Sequence, residues 1–289
     1  MNVLVTGAAG QLGNALRRVA PGFIYSDIAG EGNVFLDITD ADSVNAFVKE
    51  NSIDAIINCA GYTNVDGAED NPGAAYLLNA TATGYLADAI KSRDGLLVHI
   101  STDYLFGGEP CDAPIKEDAK PSPLGVYGLS KLRGEQLVLS SGVKHVIFRT
   151  AWLYSHTGKN FVKTILSLIS SRPSIKVVSD QTGTPTYAGD LAAMILAALD
   201  RYTDGTLPYG IYNYTGEGAA SWYDFAVAIA SISGNTSCVI NPCRTGDYPV
   251  RARRPAYSVL DKSLVKEAFH VSIPYWKDTL EAFLKSVEK

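Results

Sequence analysis

The sequence predicts an α/β fold: a doubly wound parallel sheet followed by a smaller C-terminal α/β domain. Three observations carry this. Short β-branched runs alternate with longer amphipathic stretches through the first 150 residues. The runs are almost continuously apolar, as strands covered on both faces must be. Gly7-x-x-Gly10-x-x-Gly13 directly follows the first run and opens the first amphipathic stretch.

The expected strands lie at residues 3–5, 23–26, 34–36, 55–58, 96–100 and 145–148. Residues 40–50 read as a helix, with Thr39 or Asp40 as cap and Val44, Phe47 and Val48 on one stripe. Residues 74–91 and 127–139 read as helices too. The Pro110, Pro114, Pro121 and Pro123 cluster, with Gly107 and Gly108, marks a long loop after a strand, where site elements usually sit. Beyond Arg149 the alternation loosens. Helices are expected at 160–169, 191–199, 221–232 (opened by Ser221-x-x-Asp224, with Phe225, Ile229 and Ile232 buried) and 275–287 (Trp276, Leu280 and Phe283 at helical spacing). The expected division is residues 1–150 for a dinucleotide and 151–289 mainly for a substrate, with the helix near 189–200 returning to the first unit.

Length and composition narrow the function classes. The chain has 289 residues, 46% hydrophobic and 19% charged, which is ordinary globular composition. Its net charge of −5 offers no basic excess for nucleic acid. Four cysteines without a CxxC pair and four scattered histidines argue against zinc and against a disulfide framework; Cys238 and Cys243 read as packing thiols, and His99 as a strand histidine. Neither a signal peptide nor a membrane-spanning stretch is recognisable, so a cytoplasmic protein is expected.

The glycine turn has a physical reading. Gly7 permits the tight turn, Gly10 lets backbone approach a pyrophosphate, and Gly13 lets the helix pack close to the sheet. The helix N-terminus then offers N–H donors to phosphate. This makes the sheet Rossmann-type. Asp27 ends the second strand about 20 residues on, where a carboxylate accepts ribose hydroxyls. No Lys or Arg lies between Arg18 and Lys49, which favours NADH over NADPH. Asp37 and Ile38 end the third strand, as a border for adenine. Small residues in Asn58-Cys59-Ala60-Gly61-Tyr62-Thr63 let a flat ring or phosphate approach backbone.

Ser101-Thr102-Asp103-Tyr104 follows the fifth strand, and Tyr127-x-x-x-Lys131 comes about 25 residues later with both side chains on one helix face. With 16 tyrosines, about one such pair is expected by chance, so its order after the glycine loop and strand-end hydroxyl is what counts. Hydride reaches a ketone carbon only if the developing alkoxide is protonated or hydrogen-bonded. Tyr127 is the donor expected here. Lys131 is expected to lower its pKa, and Thr102 to hold the carbonyl oxygen beside it. Trp152 follows a strand end and suits a sugar or base. Arg251, Arg253 and Arg254, between Pro249 and Pro255, suit a diphosphate.

With these residues in view, the sequence resembles the extended short-chain dehydrogenase/reductase family nearly end to end, and within it the dTDP-4-dehydrorhamnose reductases. The segments are VTGAAGQLG (5–13), NCAGYTNVDGAE (58–69), LLNAT (77–81), STDYLF (101–106), YGLSKLRGE (127–135), FRTAWLYS (148–155), DQTGTPT (180–186) and RPAYSVLD (254–261). The resemblance implies NADH or NADPH bound by Gly7, Gly10, Gln11, Leu12, Gly13, Asp27, Asp37, Ile38, Ala60, Gly61, Tyr62, Thr63, Asn79, Tyr127 and Lys131. The resemblance also implies that Asn79 is the family's helix asparagine, supporting the lysine through water. It implies Thr102, Tyr127 and Lys131 as catalytic residues and Thr102, Asp103, Tyr104, Trp152 and Arg254 at the nucleotide sugar. The implied reaction reduces the C4 ketone of dTDP-4-dehydro-L-rhamnose for rhamnose-containing cell-surface polysaccharides. Its alternatives are another nucleotide-sugar ketoreductase or epimerase, and a noncatalytic NADP-binding subunit like that of methionine adenosyltransferase. Related dehydratases carry Asp-Glu after the strand-end Thr; Asp103-Tyr104 lacks that acid–base pair. Some relatives are dimers bridged by a glutamate-held metal. Ala15 and Asp190 stand at the corresponding positions, so a metal-free monomer is expected.

Overall fold

The computed structural model describes residues 1–247 and 250–287. Its strands are β1 (Val3–Thr6), β2 (Ile24–Asp27), β3 (Val34–Phe35), β4 (Ala55–Asn58), β5 (Leu96–Thr102), β6 (Lys144–Thr150), β7 (Leu153–Tyr154), β8 (Ser174–Val178), β9 (Thr182–Gly183), β10 (Thr186–Tyr187), β11 (Gly210–Asn213), β12 (Ala220–Ser221) and β13 (Val239–Cys243). The α-helices are α1 (Gln11–Val19), α2 (Ala41–Glu50), α3 (Val65–Asp70), α4 (Pro72–Tyr76), α5 (Ala82–Lys91), α6 (Val126–Ser141), α7 (Phe161–Ser171), α8 (Ala188–Thr203), α9 (Trp222–Ile232), α10 (Ser263–Phe269) and α11 (Trp276–Val287).

Seven strands form one sheet in the order β11-β6-β5-β4-β1-β2-β3. Every pair in it is parallel. This is the doubly wound α/β sheet the alternation predicts. Burial on both faces explains the apolar runs: all four residues of β1 and of β4 are buried. One face packs α1, α8 and α10 through Leu12, Leu16, Ile195 and Phe269; the other packs α2, α5 and α6 through Val44, Leu86 and Val138. Burying a side chain of this size contributes about 1.5–3 kcal/mol. Asp40 caps α2 by accepting from the Asp42 and Ser43 N–H groups, a contact worth about 1 kcal/mol.

The C-terminal lobe has its own core, built by α7, α9 and α11 around Ile165, Phe225, Ile229 and Leu280. It carries the short parallel pair β8–β13. Ser221 and Asp224 complete a capping box on α9, as the Ser-x-x-Asp spacing predicts.

Several elements depart from the sequence reading, β8, β13, α3 and α10 among them, and two further departures bear on the sheet and the site. The stretch expected as one helix over 74–91 is α4, a π-turn at Leu77–Thr81 and α5. The extra residue of the π-turn leaves the Asn79 side chain aimed at the loop after β4, where it finds partners no straight helix offers. The seventh strand, β11, comes from Gly210–Asn213, a segment given no strand from sequence because four residues beside Pro208 and Gly210 show no period. It adds to the β6 edge in the register Ile211 opposite Ile147.

Candidate active site

The order β4-β1-β2 places the topological switch point between β1 and β4, where the connections leave in opposite directions. A cleft of about 970 Å3 opens at that point, over the carboxyl ends of the strands. Its floor is the glycine turn. Gly7 has φ +66°, and a Cβ there would lie 2.5 Å from the Ala60 nitrogen. A Cβ on Gly13 would lie 2.6 Å from the Gly7 oxygen, so Gly13 packs α1 against the turn and does not itself line the cleft. Gly7, Gly10, Gln11 and Leu12 do line it.

At one end of the cleft stand Asp27, Asp37 and Ile38. The Asp27 carboxylate accepts from the Ala9 and Ile28 N–H groups at 2.9 and 2.8 Å, pinning the glycine turn to the end of β2. Asp37 accepts from the Thr39 N–H and hydroxyl. Arg17, outside the sequence gap, reaches over from α1, donates to the Gly32 and Asn33 oxygens and sits 4.1 Å above the Tyr25 ring.

The middle of the cleft is lined by Ala60, Gly61, Tyr62 and Thr63 on one side and by Thr102, Tyr127 and Lys131 on the other. Asn79 accepts from the Tyr62 N–H at 2.8 Å and donates to the Tyr62 carbonyl and the Ser130 hydroxyl. It therefore braces the loop after β4 against α6. The direct bond of Lys131 goes elsewhere: its Nζ donates to the Ile100 carbonyl at 2.5 Å.

The electrostatics also differ from expectation. Burial pushes the Tyr127 phenol up to about 12, against the pull of the Thr102 hydroxyl. Burial lowers Lys131 to about 8, with Glu135 and Cys59 opposing. Burial thus favours the uncharged form of both groups, the phenol of Tyr127 and the amine of Lys131. Glu135, one turn along α6 from Lys131, is held by Arg149 in a fully buried bidentate pair at 2.7 and 2.9 Å. The Cys59 thiol, beside Lys131, is pushed up by burial.

The far end is lined by Asp103, Tyr104 and Trp152. Tyr104 packs edge-on to Tyr127 at 5.4 Å. Asp103 is 2% exposed and both its oxygens are engaged: Oδ2 accepts from Ser258 at 2.6 Å and Oδ1 from Thr102 at 3.2 Å. Trp152 adopts φ +47°, a conformation that costs a non-glycine residue about 1–3 kcal/mol. It stacks face to face on Trp222, centroids 3.5 Å apart. Sequence reasoning missed Trp222, the first residue of α9, because nothing local distinguishes it from a core tryptophan. It also missed Thr150, whose position beside Thr102 in the β5–β6 register was the available signal. Thr150 lines the cleft, and its buried hydroxyl has no partner among the described residues.

The arginine cluster is not the free cationic patch the sequence implied. Arg254 pairs with Asp66 at 2.9 Å and Arg251 pairs with Asp70, both acids on α3. Arg254 lies outside the main cleft and lines a second cavity of about 300 Å3 with Trp222, Phe161 and Gln181. Pro249 lies outside the described residues. Asp190, on α8, accepts from Thr279 at 3.3 Å, and burial raises its carboxyl. Among the described residues no cluster of three or more His, Cys, Asp or Glu side chains is arranged to hold a metal. No helix among them is long and apolar enough to cross a membrane.

Known proteins resemble the whole chain. A dTDP-4-dehydrorhamnose reductase of Aggregatibacter actinomycetemcomitans is 39% identical over 286 residues, covering 96% of this chain and 97% of that one. The crystal structure of a dTDP-4-dehydrorhamnose reductase from Clostridium acetobutylicum matches with TM-score 0.93 and 38% identity over 100% of both chains. That of a dTDP-4-dehydrorhamnose reductase from Bacillus anthracis in complex with NADP matches with TM-score 0.89 and 36% identity, again over 100% of both. The RmlD substrate binding domain family matches residues 1–289, and the chain belongs to it.

Proposed function

We propose that the protein reduces the C4 ketone of dTDP-4-dehydro-L-rhamnose to dTDP-L-rhamnose with a reduced nicotinamide dinucleotide, supplying rhamnose for cell-surface polysaccharide. One observation carries the reading: Thr102, Tyr127 and Lys131 line the same cleft as the Gly7 turn. The residues fit the cofactor. A Cβ would fill the cradle at Gly7, and the cleft spans the switch point where such cofactors lie. Gly10, Gln11 and Leu12 suit its pyrophosphate, Asp27, Asp37 and Ile38 its adenosine, and the stretch from Ala60 to Thr63 its central part. When bound, the nicotinamide supplies the hydride.

Tyr127 holds the proton that the ketone oxygen receives. A phenol pushed to about 12 stays protonated at neutral pH, so it begins as a donor. Lys131, on the same helix face, is the cation that stabilises the phenolate left behind. Lys131 at about 8 is charged below that pH and loses its charge above it, so turnover is expected to fall as pH rises past about 8. Trp152 covers the sugar or its base, Tyr104 flanks Tyr127, and Arg254 meets a phosphate once it leaves Asp66. Asp27 supports NADH over NADPH, since a 2′-phosphate would face its carboxylate while Arg17 is engaged by Gly32 and Asn33. The working unit is a metal-free cytoplasmic monomer.

The test is loss of reduced-nicotinamide absorbance with the dTDP-4-ketosugar, run with NADH and with NADPH, with the product identified by NMR. Stoichiometric cofactor loss and dTDP-L-rhamnose are expected, with the larger kcat/KM for NADH. Sugar conversion without net cofactor loss would mark an epimerase. Binding without turnover on any 4-ketosugar would mark a regulatory subunit.

A further inference from the structure

Asp27, Asp37 and Asp103 line the main cleft, but among its described lining residues only Lys131 and Lys159 are lysine or arginine. Lys131 is buried and its Nζ donates to the Ile100 carbonyl. Lys159 is exposed, and among the described residues its amine has no hydrogen-bond or ion-pair partner. The neighbouring cations are engaged: Lys163 donates to the His156 carbonyl, and Arg17 to the Gly32 and Asn33 oxygens.

Lys159 belongs to the loop of residues 155–160, between β7 and α7. This loop of the C-terminal lobe is fastened to the glycine turn. Gln11 Oε1 accepts from Asn160 Nδ2 at 3.2 Å, and Gln11 Nε2 donates to the Leu153 carbonyl at 3.4 Å. Asn160 is itself fixed: it is 8% exposed and caps α7 by accepting from the Lys163 N–H at 3.1 Å. Gly158, at φ +71°, permits the close approach, since a Cβ there would lie 3.3 Å from Gln11 Cγ. Lys159 therefore stands between two residues that touch Gln11, and Gln11 is the first residue of α1. Gly10 gives α1 no side-chain cap, and its first turn holds no acid. The leading N–H groups and the positive end of the helix dipole thus meet the cleft without an internal anion. An uncapped helix start and an unpartnered ammonium on the loop tied to it together suit a polyanion.

We propose that Lys159 binds the pyrophosphate of the nicotinamide dinucleotide, so that the C-terminal lobe adds a cation to a cradle otherwise made of backbone N–H groups. This rests on the cofactor reading given above. The loop is tied at Gln11 and not at Asp27 or Asp37, so its cation belongs with the pyrophosphate rather than with a ribose 2′-phosphate. Arg254, outside the main cleft, is left for the sugar nucleotide. One lobe then contributes to both ligands, and the loop of residues 155–160 links them.

The experiment measures Kd by titration calorimetry for NADH, NADPH, ADP-ribose and adenosine, and for dTDP added to protein saturated with NAD+. Wild type, Lys159→Gln and Lys159→Arg are compared. Lys159→Gln should weaken NADH, NADPH and ADP-ribose by a common factor of about ten, as loss of a contact to a charged group does. It should leave adenosine, dTDP and Tm unchanged, and NADH binding should depend less on salt. Lys159→Arg keeps the charge and should stay within about twofold of wild type. An unchanged Kd for ADP-ribose in Lys159→Gln would overturn the proposal. So would a loss confined to NADPH, which would assign the amine to the 2′-phosphate, or one confined to dTDP, which would assign it to the substrate. None of these titrations needs turnover. A wild type that binds NADH but reduces no 4-ketosugar would sink the reductase reading and still leave Lys159 tested. A wild type that binds none of the dinucleotides would sink the cofactor reading, and this proposal with it.

Discussion

The two ends of the cleft are built on opposite principles. At the glycine turn the surface is backbone, shaped by what is missing. Gly7 and Gly13 leave room that no side chain can share, and Asp27 pins the turn through the Ala9 N–H. At the C-terminal end the surface is side chains that satisfy one another: Trp152 on Trp222 in the cleft, and outside it Arg254 on Asp66 and Arg251 on Asp70. The first end is complete before anything binds. A ligand that recruited Arg254 would have to displace Asp66, and that exchange would cost part of the binding energy. On the proposed function, the cofactor would meet a rigid cradle, and Arg254 would have to leave Asp66 to meet a phosphate.

The largest expected effect lies between the two ends. Tyr127→Phe keeps the ring that packs against Tyr104 and removes the proton. It should lower kcat by about 10^3, within the range for loss of a general acid, while cofactor Kd stays within about twofold. Cofactor binding and single-turnover reduction, measured separately, check this. A turnover rate near that of wild type would mean that the proton comes from another group.

Gly7→Ala attacks the rigid end. The φ of +66° alone costs about 1–3 kcal/mol for an L-residue. The added Cβ would also sit 2.5 Å from backbone that cannot move without shifting the end of β4. The variant should lose about 3 kcal/mol or more of stability in denaturant unfolding, and its cofactor affinity should collapse. Unchanged affinity in a folded Gly7→Ala protein would show that the turn is not the phosphate cradle.

This contrast also explains what the sequence reveals. The glycine turn, the strand-end carboxylates and the Tyr127–Lys131 pair obey local rules: an excluded Cβ, a strand terminus, an i,i+4 face. Each can be read from a few neighbouring residues, as can the doubly wound sheet itself. The π-turn at Leu77–Thr81 cannot, since only its tertiary partners Tyr62 and Ser130 favour it over a regular helix. Neither can Ser258 behind Asp103, or Trp222 beneath Trp152. The direction in which Tyr127 and Lys131 shift was hidden for another reason. Spacing shows that two groups share a face, but the penalty of burying both depends on everything packed around them.

The arginines separate binding from packing at the adaptable end. Both Arg251 and Arg254 are ion-paired to α3, so counting charges treats them alike. Their surroundings differ. The Arg251 and Asp70 side chains are 68% and 46% exposed, and a pair so placed contributes about 0–1 kcal/mol, screened further by salt. Arg254 is 21% exposed, lines the second cavity beside Trp222, and shares Asp66 with the Ala252 N–H. Asp66 would therefore keep one partner if Arg254 turned toward a phosphate. Arg254→Ala should raise KM for the dTDP-sugar about tenfold, as loss of a charged hydrogen bond does, with stability changed by less than about 1 kcal/mol. Arg251→Ala should leave KM unchanged. If Arg254→Ala instead lowers Tm and spares KM, the ion pair is a structural clasp between residues 251–254 and α3, and the diphosphate must be held by other residues.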